Sequence, residues 1–393
     1  MRDLAIEFCK RLCVEFNEEL VKYYERGVKL YKELGLSIFD KKRLIQLNEQ
    51  YPFFKQGLDP VLKAGEEIVK NEDLVLFNYI LIAIIQDNVK TEPIIKAPIG
   101  NCLANDFSNL YAVLYFVERE IELLKSRGLA DEIIADSLSG IESEMLAYRD
   151  RHGRLGTRDY QDWYVYFING EMIRIGRLQY QFIKLQSPIR FFEKDGDVVI
   201  MMDKVYMHKD GMVFGSLYQD DEAGKYYAEV RVDGDKITGY PVNRYGEAVP
   251  EEITIVGYNE PIKHGDNVVA VHITNGEPFA FDKVKQSMEM AQKVLARHYS
   301  DMEIKGIFGH SWVFEKHLRE IMGRDTNITL FADYFTCYPA RGGMHGVYEY
   351  VFSVDEDTPL ELLPEKTSMQ RAIKKYLLDG NRFYEKAALR LIE

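Results

Sequence analysis

Apolar residues recur every three or four positions through the first 150 residues of the chain, with charged residues between them. This spacing places the apolar side chains on one face of each segment, as is typical of amphipathic helices. Clear stripes of this kind lie within residues 4–20, 58–69, 74–86, 110–121 and 130–149. Because no strand pattern interrupts them, the sequence predicts an all-α domain of five or six helices over residues 1–150.

The pattern changes after residues 149–158, a basic, glycine-containing segment where we place the domain boundary. Beyond it, apolar and alternating runs predict strands over Trp163–Asn169 and Met172–Leu185, the second with one face half exposed to water. Two Asp-Gly turns, Asp195-Gly196-Asp197 and Asp233-Gly234-Asp235, predict hairpins in the stretch that follows. Residues 151–393 are therefore assigned to a second domain with a β-rich middle.

A strand, a turn, a helix and a second strand follow one another from residue 267 onward. Asn267–Ile273 and Lys305–Gly309 are the predicted strands, and Asp282 is the expected N-cap of the helix between them. This order implies a parallel pair with a right-handed crossover. Open parallel sheets bind ligands at the carboxyl ends of their strands, and these ends carry His272 and His310.

The chain after His310 is predicted to open another helix, with Ser311 as its cap. Two more strands are expected to follow, over Ile328–Tyr338 and Val347–Val354. On those strands Glu349 and Asp333 would be paired carboxylates, which leaves open a carbohydrate-active enzyme.

Composition and charge narrow the possible partners. The net charge of -13 argues against nucleic acid or an anionic membrane as the main partner. The longest apolar run, residues 74–85, is shorter than the roughly 20 residues that span a bilayer, and a cytoplasmic location is the simplest interpretation. Four scattered cysteines make no disulfide framework, and the eight histidines do not cluster with cysteines or carboxylates as a metal site would require.

A set of short motifs occurs in order along residues 160–380. They are Phe167 to Tyr180 (FINGEMIRIGRLQY), Gly265-Asp266, Val271-His272-Ile273, Phe308-Gly309-His310-Ser311-Trp312, Thr326-Asn327-Ile328 and Thr367 to Ala372 (TSMQRA). Through these motifs the chain resembles the bacterial proteins described as acyltransferase domain-containing, which join an N-terminal helical acyltransferase domain to a C-terminal GNAT-like domain.

The resemblance implies an α+β fold in which an all-α N-terminal domain precedes a GNAT-like α/β domain with a mixed sheet and a β-rich insertion. It also implies that two neighbouring strands part and that acyl-CoA or acetyl-CoA, as co-substrate, lies in the gap. The candidates for binding it are Ile273, Thr274, Asn275, Gly276 and Ser311. No metal is implied.

The turn after residue 273 departs from the usual GNAT pattern, in which glycine-rich backbone and a helix N-terminus hold the pyrophosphate. Gly276 is the one glycine there, and Glu277 would repel phosphate. Two functions stay open: an acyl-CoA-dependent N-acyltransferase acting on a small-molecule amine, and a non-catalytic ligand-binding protein with a degenerate GNAT-like fold. The sequence carries no signal for the oligomeric state.

Acyl transfer to an amine needs a base for the amine, donors for the oxyanion and a proton for the leaving thiolate. His310 is the best candidate for the base, and His272 can converge with it from the adjacent strand. Tyr334 or Tyr338 can protonate the thiolate. In the alternative, the two imidazoles are structural and the two tyrosines only pack in the core.

Overall fold

A computed structural model of the chain describes residues 1–98, 102–157, 161–216, 222–274 and 278–392. The helices are α1 Arg2–Leu12, α2 Leu20–Leu34, α3 Lys41–Gln50, α4 Leu58–Ile68, α5 Glu72–Gln86, α6 Leu103–Asp106, α7 Leu110–Tyr115, α8 Val117–Ser126, α9 Asp131–Leu138, α10 Gly140–His152, α11 Gln161–Ile168, α12 Phe281–His298, α13 Leu318–Ile321, α14 Asn327–Ala332 and α15 Ser368–Leu378. The strands are β1 Met172–Ile175, β2 Leu178–Lys184, β3 Ile189–Lys194, β4 Asp197–Met202, β5 Val205–His208, β6 Lys225–Ala228, β7 Arg231–Asp233, β8 Lys236–Pro241, β9 Ile253–Val256, β10 Asn259–Ile262, β11 Asn267–Ile273, β12 Gly306–Ser311, β13 Thr336–Pro339 and β14 Lys386–Leu391.

The chain divides into two compact units, and the first comprises Met1–Gln181 together with Ile273–Pro278. It contains α1 to α11, so the predicted helical character of residues 1–150 is confirmed. Helix α5 lies in its core, where Asn78 is fully buried and donates to the carbonyls of Leu74 and Ser108. The unit extends past the boundary that we placed at residue 150.

Two strand predictions at the end of this unit are wrong. Trp163–Asn169 lies largely in helix α11, where its aromatic and β-branched residues are packed rather than paired. Met172–Leu185 is a hairpin instead of one strand, because Gly176 adopts a φ of 57° and turns the chain between Ile175 and Leu178. Both β1 and the start of β2 are buried, so the expected half-exposed face does not form.

The second unit comprises Phe182–His272 and Phe279–Glu393. Its mixed sheet includes the strand order β11-β12-β14-β13, with β11 parallel to β12 and the other neighbours antiparallel. A second sheet has the order β10-β3-β4-β8-β7, with β9 on β8. Its β3–β4 and β7–β8 hairpins confirm the two Asp-Gly turns.

Helix α12 is the predicted crossover between β11 and β12, and it buries Val284, Met288, Ala291 and Leu295. These four residues recur at helical spacing and form the buried face of an amphipathic helix. The chain then departs from prediction. Ile328–Tyr338 is helix α14 followed by the short strand β13, and Val347–Phe352 is helical instead of a strand.

The predicted fold class is nevertheless confirmed, because a helical N-terminal region precedes a mixed sheet with a β-rich insertion. Across the described ranges, no helix combines the length and the apolar character that crossing a bilayer requires. The cytoplasmic location stays a prediction.

Candidate functional site

Strands β11 and β12 pair side by side only over their first part. Their parallel ladder, in the described chain, joins Val268 with Gly306, Val269 with Ile307 and Ala270 with Phe308. Beyond Phe308, β12 continues to pair with β14 as far as Ser311, while β11 continues to Ile273. The two strands therefore stop bonding to each other while both are still extended, and we call the region between their carboxyl ends the crevice.

An aromatic ring packs against the start of this crevice. A β-carbon at Gly309 would lie 2.7 Å from two ring carbons of Phe314 and 3.7 Å from Cγ1 of Val271. Phe314 is buried, so its ring cannot move away without leaving a cavity. Glycine at 309 is therefore required for Phe314 to cover the strand at this point.

His272 and His310 lie on the two sides of the crevice, each two residues past the last paired residue of its strand. Because side chains alternate along a strand, both project to the same face as Ala270 and Phe308. His310 is exposed, whereas His272 is half-buried, and burial lowers the pKa of His272 to about 4. His272 is thus neutral near pH 7.

The two candidate tyrosines lie in different surroundings. Tyr338, on β13, is fully buried, and its hydroxyl lies 2.7 Å from that of Ser187. Burial raises the pKa of Tyr338 well above its ordinary value. Tyr334 precedes β13 in a turn, and the guanidinium of Arg390 lies 4.0 Å from the centre of its ring. Tyr334 therefore lies outside the strand that carries Tyr338.

Arg177, in the β1–β2 hairpin, bonds to Thr274 after β11 and to Pro278. Arg177 is buried and donates from Nη1 to Oγ1 of Thr274 at 2.5 Å and from Nε to the carbonyl of Pro278 at 3.3 Å. Thr274 in turn donates to the carbonyl of Arg177 at 3.3 Å. Arg177 therefore links Thr274 to Pro278 through hydrogen bonds.

The remaining candidates for acyl-CoA binding divide into three kinds. Ile273 is exposed at the end of β11. Ser311 acts as a cap, because its hydroxyl accepts from the backbone N–H of Val313 at 3.4 Å. Asn275 and Gly276, with the phosphate-repelling Glu277, lie outside the described residues.

Glu349 and Asp333 do not lie on neighbouring strands, so the basis of the carbohydrate-active hypothesis is wrong. Glu349 is in the helical segment Val347–Phe352, and its Oε2 lies 3.0 Å from Nε2 of His345. Asp333 follows α14 and pairs with Arg319. Within the described ranges, no group of three or more histidine, cysteine or carboxylate side chains is arranged to hold a metal ion.

A cavity of about 330 Å³ opens in the second unit beside the first residue of β14. We call it the β14 pocket. Its lining residues include Asp210, Glu247, Glu315, His317, Arg382 and Lys386.

Glu315 and Lys386 are both almost fully buried in the wall of the β14 pocket. Glu315 accepts from Nδ1 of His317 at 2.8 Å and from the backbone N–H of Tyr384 at 3.3 Å. Lys386 donates to the carbonyl of Tyr245 at 2.8 Å, and its Nζ lies 3.9 Å from Oε2 of Glu315. The carboxylate of Glu315 is therefore hydrogen-bonded to the imidazole of His317 and lies close to the buried ammonium of Lys386.

The two buried charges shift each other's titration. Burial alone would raise the pKa of Glu315, but the hydrogen bond from His317 and the charge of Lys386 hold it below its ordinary value. Burial lowers the pKa of Lys386, and the carboxylates of Glu315 and Glu247 oppose that shift. Perturbed groups that line a cleft are typical of functional sites.

The sequence analysis did not single out the residues of the β14 pocket. Two weak signals were present: Glu315 and His317 stand two residues apart after a strand, and Lys386 is the cation that begins the apolar strand KAALRL. Neither indicates that residues 315 and 386 meet, because the contact joins segments far apart in the chain.

The family model described as GNAT-like C-terminal domain matches residues 172–388, which is more than half of the 393-residue chain. The chain belongs to this family, and the resemblance drawn from its motifs is confirmed. No curated protein matches the sequence.

Solved structures of acyltransferases share the fold across both units. An acyltransferase mutant in complex with octanoyl-CoA is 16% identical, with a TM-score of 0.57, over 90% of this chain and 88% of that chain. An acyltransferase in complex with decanoyl-CoA and teicoplanin is 16% identical, with a TM-score of 0.56, over 88% of this chain and 87% of that chain. At this identity the similarity establishes the fold alone.

Proposed function

We propose that this protein is an acyl-CoA-dependent N-acyltransferase that transfers an acyl group to the amine of a small molecule. The observation that carries the proposal is the end of the β11–β12 ladder at Ala270 and Phe308, with both strands continuing beyond it. Strand ends that do not pair with each other leave room for a pantetheine arm between them. The acyl-CoA complexes of structures with the same fold agree with this choice of co-substrate.

In the proposed reaction His310 is the general base. Its side chain is exposed at the crevice and can accept a proton from the attacking amine. His272 stays neutral because of its lowered pKa, so it can donate one hydrogen bond without adding a charge to the crevice. The new C–N bond forms as the C–S bond breaks, and the thiolate takes up the proton that the base received.

Binding of the co-substrate tests this proposal before any acceptor is known. We expect calorimetry with CoA, acetyl-CoA and octanoyl-CoA to show binding to the folded protein. Octanoyl-CoA should bind at least as tightly as CoA, because its acyl chain buries additional apolar surface. Absence of binding at millimolar concentrations of all three would contradict the proposal and favour the non-catalytic alternative.

A further inference from the structure

We propose that the β14 pocket is a second ligand site, separate from the crevice, and that it binds a small hydroxy acid. In this assignment Lys386 binds the carboxylate of the ligand, and Nε2 of His317 accepts a hydrogen bond from its hydroxyl group. The described residues that line the pocket all belong to the second unit. The inference does not depend on the acyl-transfer reaction.

The pocket and the crevice lie on opposite faces of the mixed sheet. His310 is paired with Ala387 across β12 and β14, and Lys386 is paired with Ser311. Because side chains alternate along a strand, Lys386 projects to the face of Ser311, opposite to that of His310. A small molecule held by Lys386 is therefore out of reach of His310, and the pocket is a site of its own.

Lys386 provides the donor for an anionic group. Its ammonium group has three N–H donors, and the residue is only 1% exposed. In the described chain one donor is bonded to the carbonyl of Tyr245 at 2.8 Å, and the carboxylate of Glu315, at 3.9 Å, lies beyond hydrogen-bond distance. A carboxylate ligand in the cavity would bond to the remaining donors of this buried cation.

His317 provides an acceptor, because Glu315 fixes which nitrogen of its neutral ring carries the proton. The lowered pKa of Glu315 keeps its carboxylate ionised, so it can only accept, and Nδ1 of His317 donates to it at 2.8 Å. The lone pair of the neutral ring is then on Nε2, to which no described residue is hydrogen-bonded. The ring also lies against that of Tyr376, with centres 5.1 Å apart. A hydroxyl group in the cavity can donate to this fixed lone pair.

The carboxylate of Glu315 brings the acceptor and the donor together. Its Oε1 lies 2.8 Å from Nδ1 of His317, and its Oε2 lies 3.9 Å from Nζ of Lys386. Both groups therefore lie beside one carboxylate. A ligand that uses both must carry its hydroxyl close to its own carboxylate, as lactate and 3-hydroxybutyrate do.

The other two carboxylates of the pocket are engaged by protein groups. Glu247 pairs with Lys316 at 2.6 Å. Oδ1 of Asp210 lies 3.1 Å from Nδ1 of His208, and its Oδ2 accepts from the hydroxyl of Tyr384 at 3.3 Å. These contacts offset the repulsion that the two carboxylates would otherwise exert on a bound acid.

The volume of the pocket limits the ligand to a small molecule. About 330 Å³ is at the lower end of the range for ligand sites, which begins at roughly 300 Å³. Met212 and Tyr376 contribute apolar surface to the lining, against which a short carbon chain can pack. A hydroxy acid with a short chain fits this space.

The test compares ligands that differ by one group and measures their binding to the full chain by calorimetry, without CoA. Lactate is compared with propionate and 3-hydroxybutyrate with butyrate, and each partner lacks only the hydroxyl group. Lactamide and 3-hydroxybutyramide lack the charge instead. We expect at least one hydroxy acid to bind about tenfold more tightly than its partner without the hydroxyl, the effect of one hydrogen bond. The amide of that acid should bind more weakly still, because it cannot pair with the ammonium of Lys386.

Two variants locate the ligand in the pocket. His317→Asn offers an N–H to Glu315 in place of Nδ1 but removes Nε2, so it should abolish the preference for the hydroxyl while the acid still binds. Lys386→Met should abolish binding of the acid, and thermal unfolding shows whether this variant is folded. The exposed Lys375→Met is the control and should bind as the unaltered protein does. If Lys386→Met does not fold, the amides test the same contact on the unaltered protein.

Several results would overturn the assignment. Neither hydroxy acid binds at millimolar concentrations, or acids bind equally with and without the hydroxyl, or amides bind as tightly as acids. Unchanged binding of the hydroxy acid in a folded Lys386→Met variant, or an unchanged hydroxyl preference in His317→Asn, would also overturn it, because the ligand would then lie outside the β14 pocket. None of these results bears on the proposed transferase, since CoA is absent from the measurement.

Discussion

His272 and His310 occupy equivalent positions on two parallel strands, each two residues beyond the pair Ala270 and Phe308 that ends their ladder. They differ in environment, since His310 is exposed and His272 is half-buried with a lowered pKa. One imidazole is therefore suited to exchange protons with a ligand, and the other to remain neutral beside it.

The first prediction concerns His310. Replacing it with glutamine should lower turnover of acyl-CoA by about 100-fold or more, the contribution typical of a general base. Thermal unfolding should be unchanged, because the side chain is exposed and its loss leaves no cavity. The exposed His264 is the matched control, and His264→Gln should retain full turnover. Equal activity of the two variants would remove the role assigned to His310.

The second prediction concerns the loss of stability that the buried His272 causes at low pH. Its pKa is about 4 in the folded protein, against 6.5 ordinarily, so the unfolded chain binds a proton in this window that the folded chain does not. Stability should therefore fall as the pH falls from about 6.5 to 4, by at most about 3 kcal/mol from this residue. Urea unfolding of His272→Asn should show a smaller loss between pH 7 and pH 4.5. An identical loss in both proteins would contradict burial of the imidazole.

The third prediction concerns the contact between Gly309 and Phe314. A methyl group at 309 would overlap the ring at 2.7 Å, so Gly309→Ala should destabilise the protein by about 1–3 kcal/mol. Gly343→Ala is the control, because its nearest neighbour would be Oε1 of Glu356 at 3.7 Å, an ordinary contact. Chemical denaturation measures both changes. Equal stability of the two variants would show that Phe314 does not rest on the strand.

The fourth prediction separates packing from catalysis at Tyr338. Tyr338→Phe should cost about 1 kcal/mol of stability through loss of the hydrogen bond with Ser187. Turnover should be unchanged, because the hydroxyl is buried against Ser187 in the core. A large fall in kcat with normal stability would instead restore Tyr338 as the proton donor to the thiolate.

Prediction from sequence succeeded where a local pattern decides the structure. The apolar run of β11, the spacing of α12 and the Asp-Gly turns each specify their element through neighbouring residues alone. It failed at Val347–Phe352, where tyrosine, valine and phenylalanine favour a strand but the chain is helical and buries Val347, Tyr348, Val351 and Phe352. Strand propensity measures how well side chains fit a half-buried sheet surface, and here the surrounding packing overrides it.

The candidate site was likewise predictable only where a local pattern specifies it. The two histidines at the strand ends follow from the β-α-β order and the alternation of side chains. The β14 pocket does not, because Glu315, His317 and Lys386 meet only after the sheet brings β12 and β14 together. No periodicity in either segment encodes that pairing.

A crystal structure with a non-hydrolysable octanoyl-CoA analogue, in which a thioether replaces the thioester, tests the central claim most directly. We expect the pantetheine arm to lie between β11 and β12 beyond Ala270 and Phe308, with the thioether near His310. A ligand bound elsewhere, or strands paired as far as His272 and His310, would contradict the proposed site.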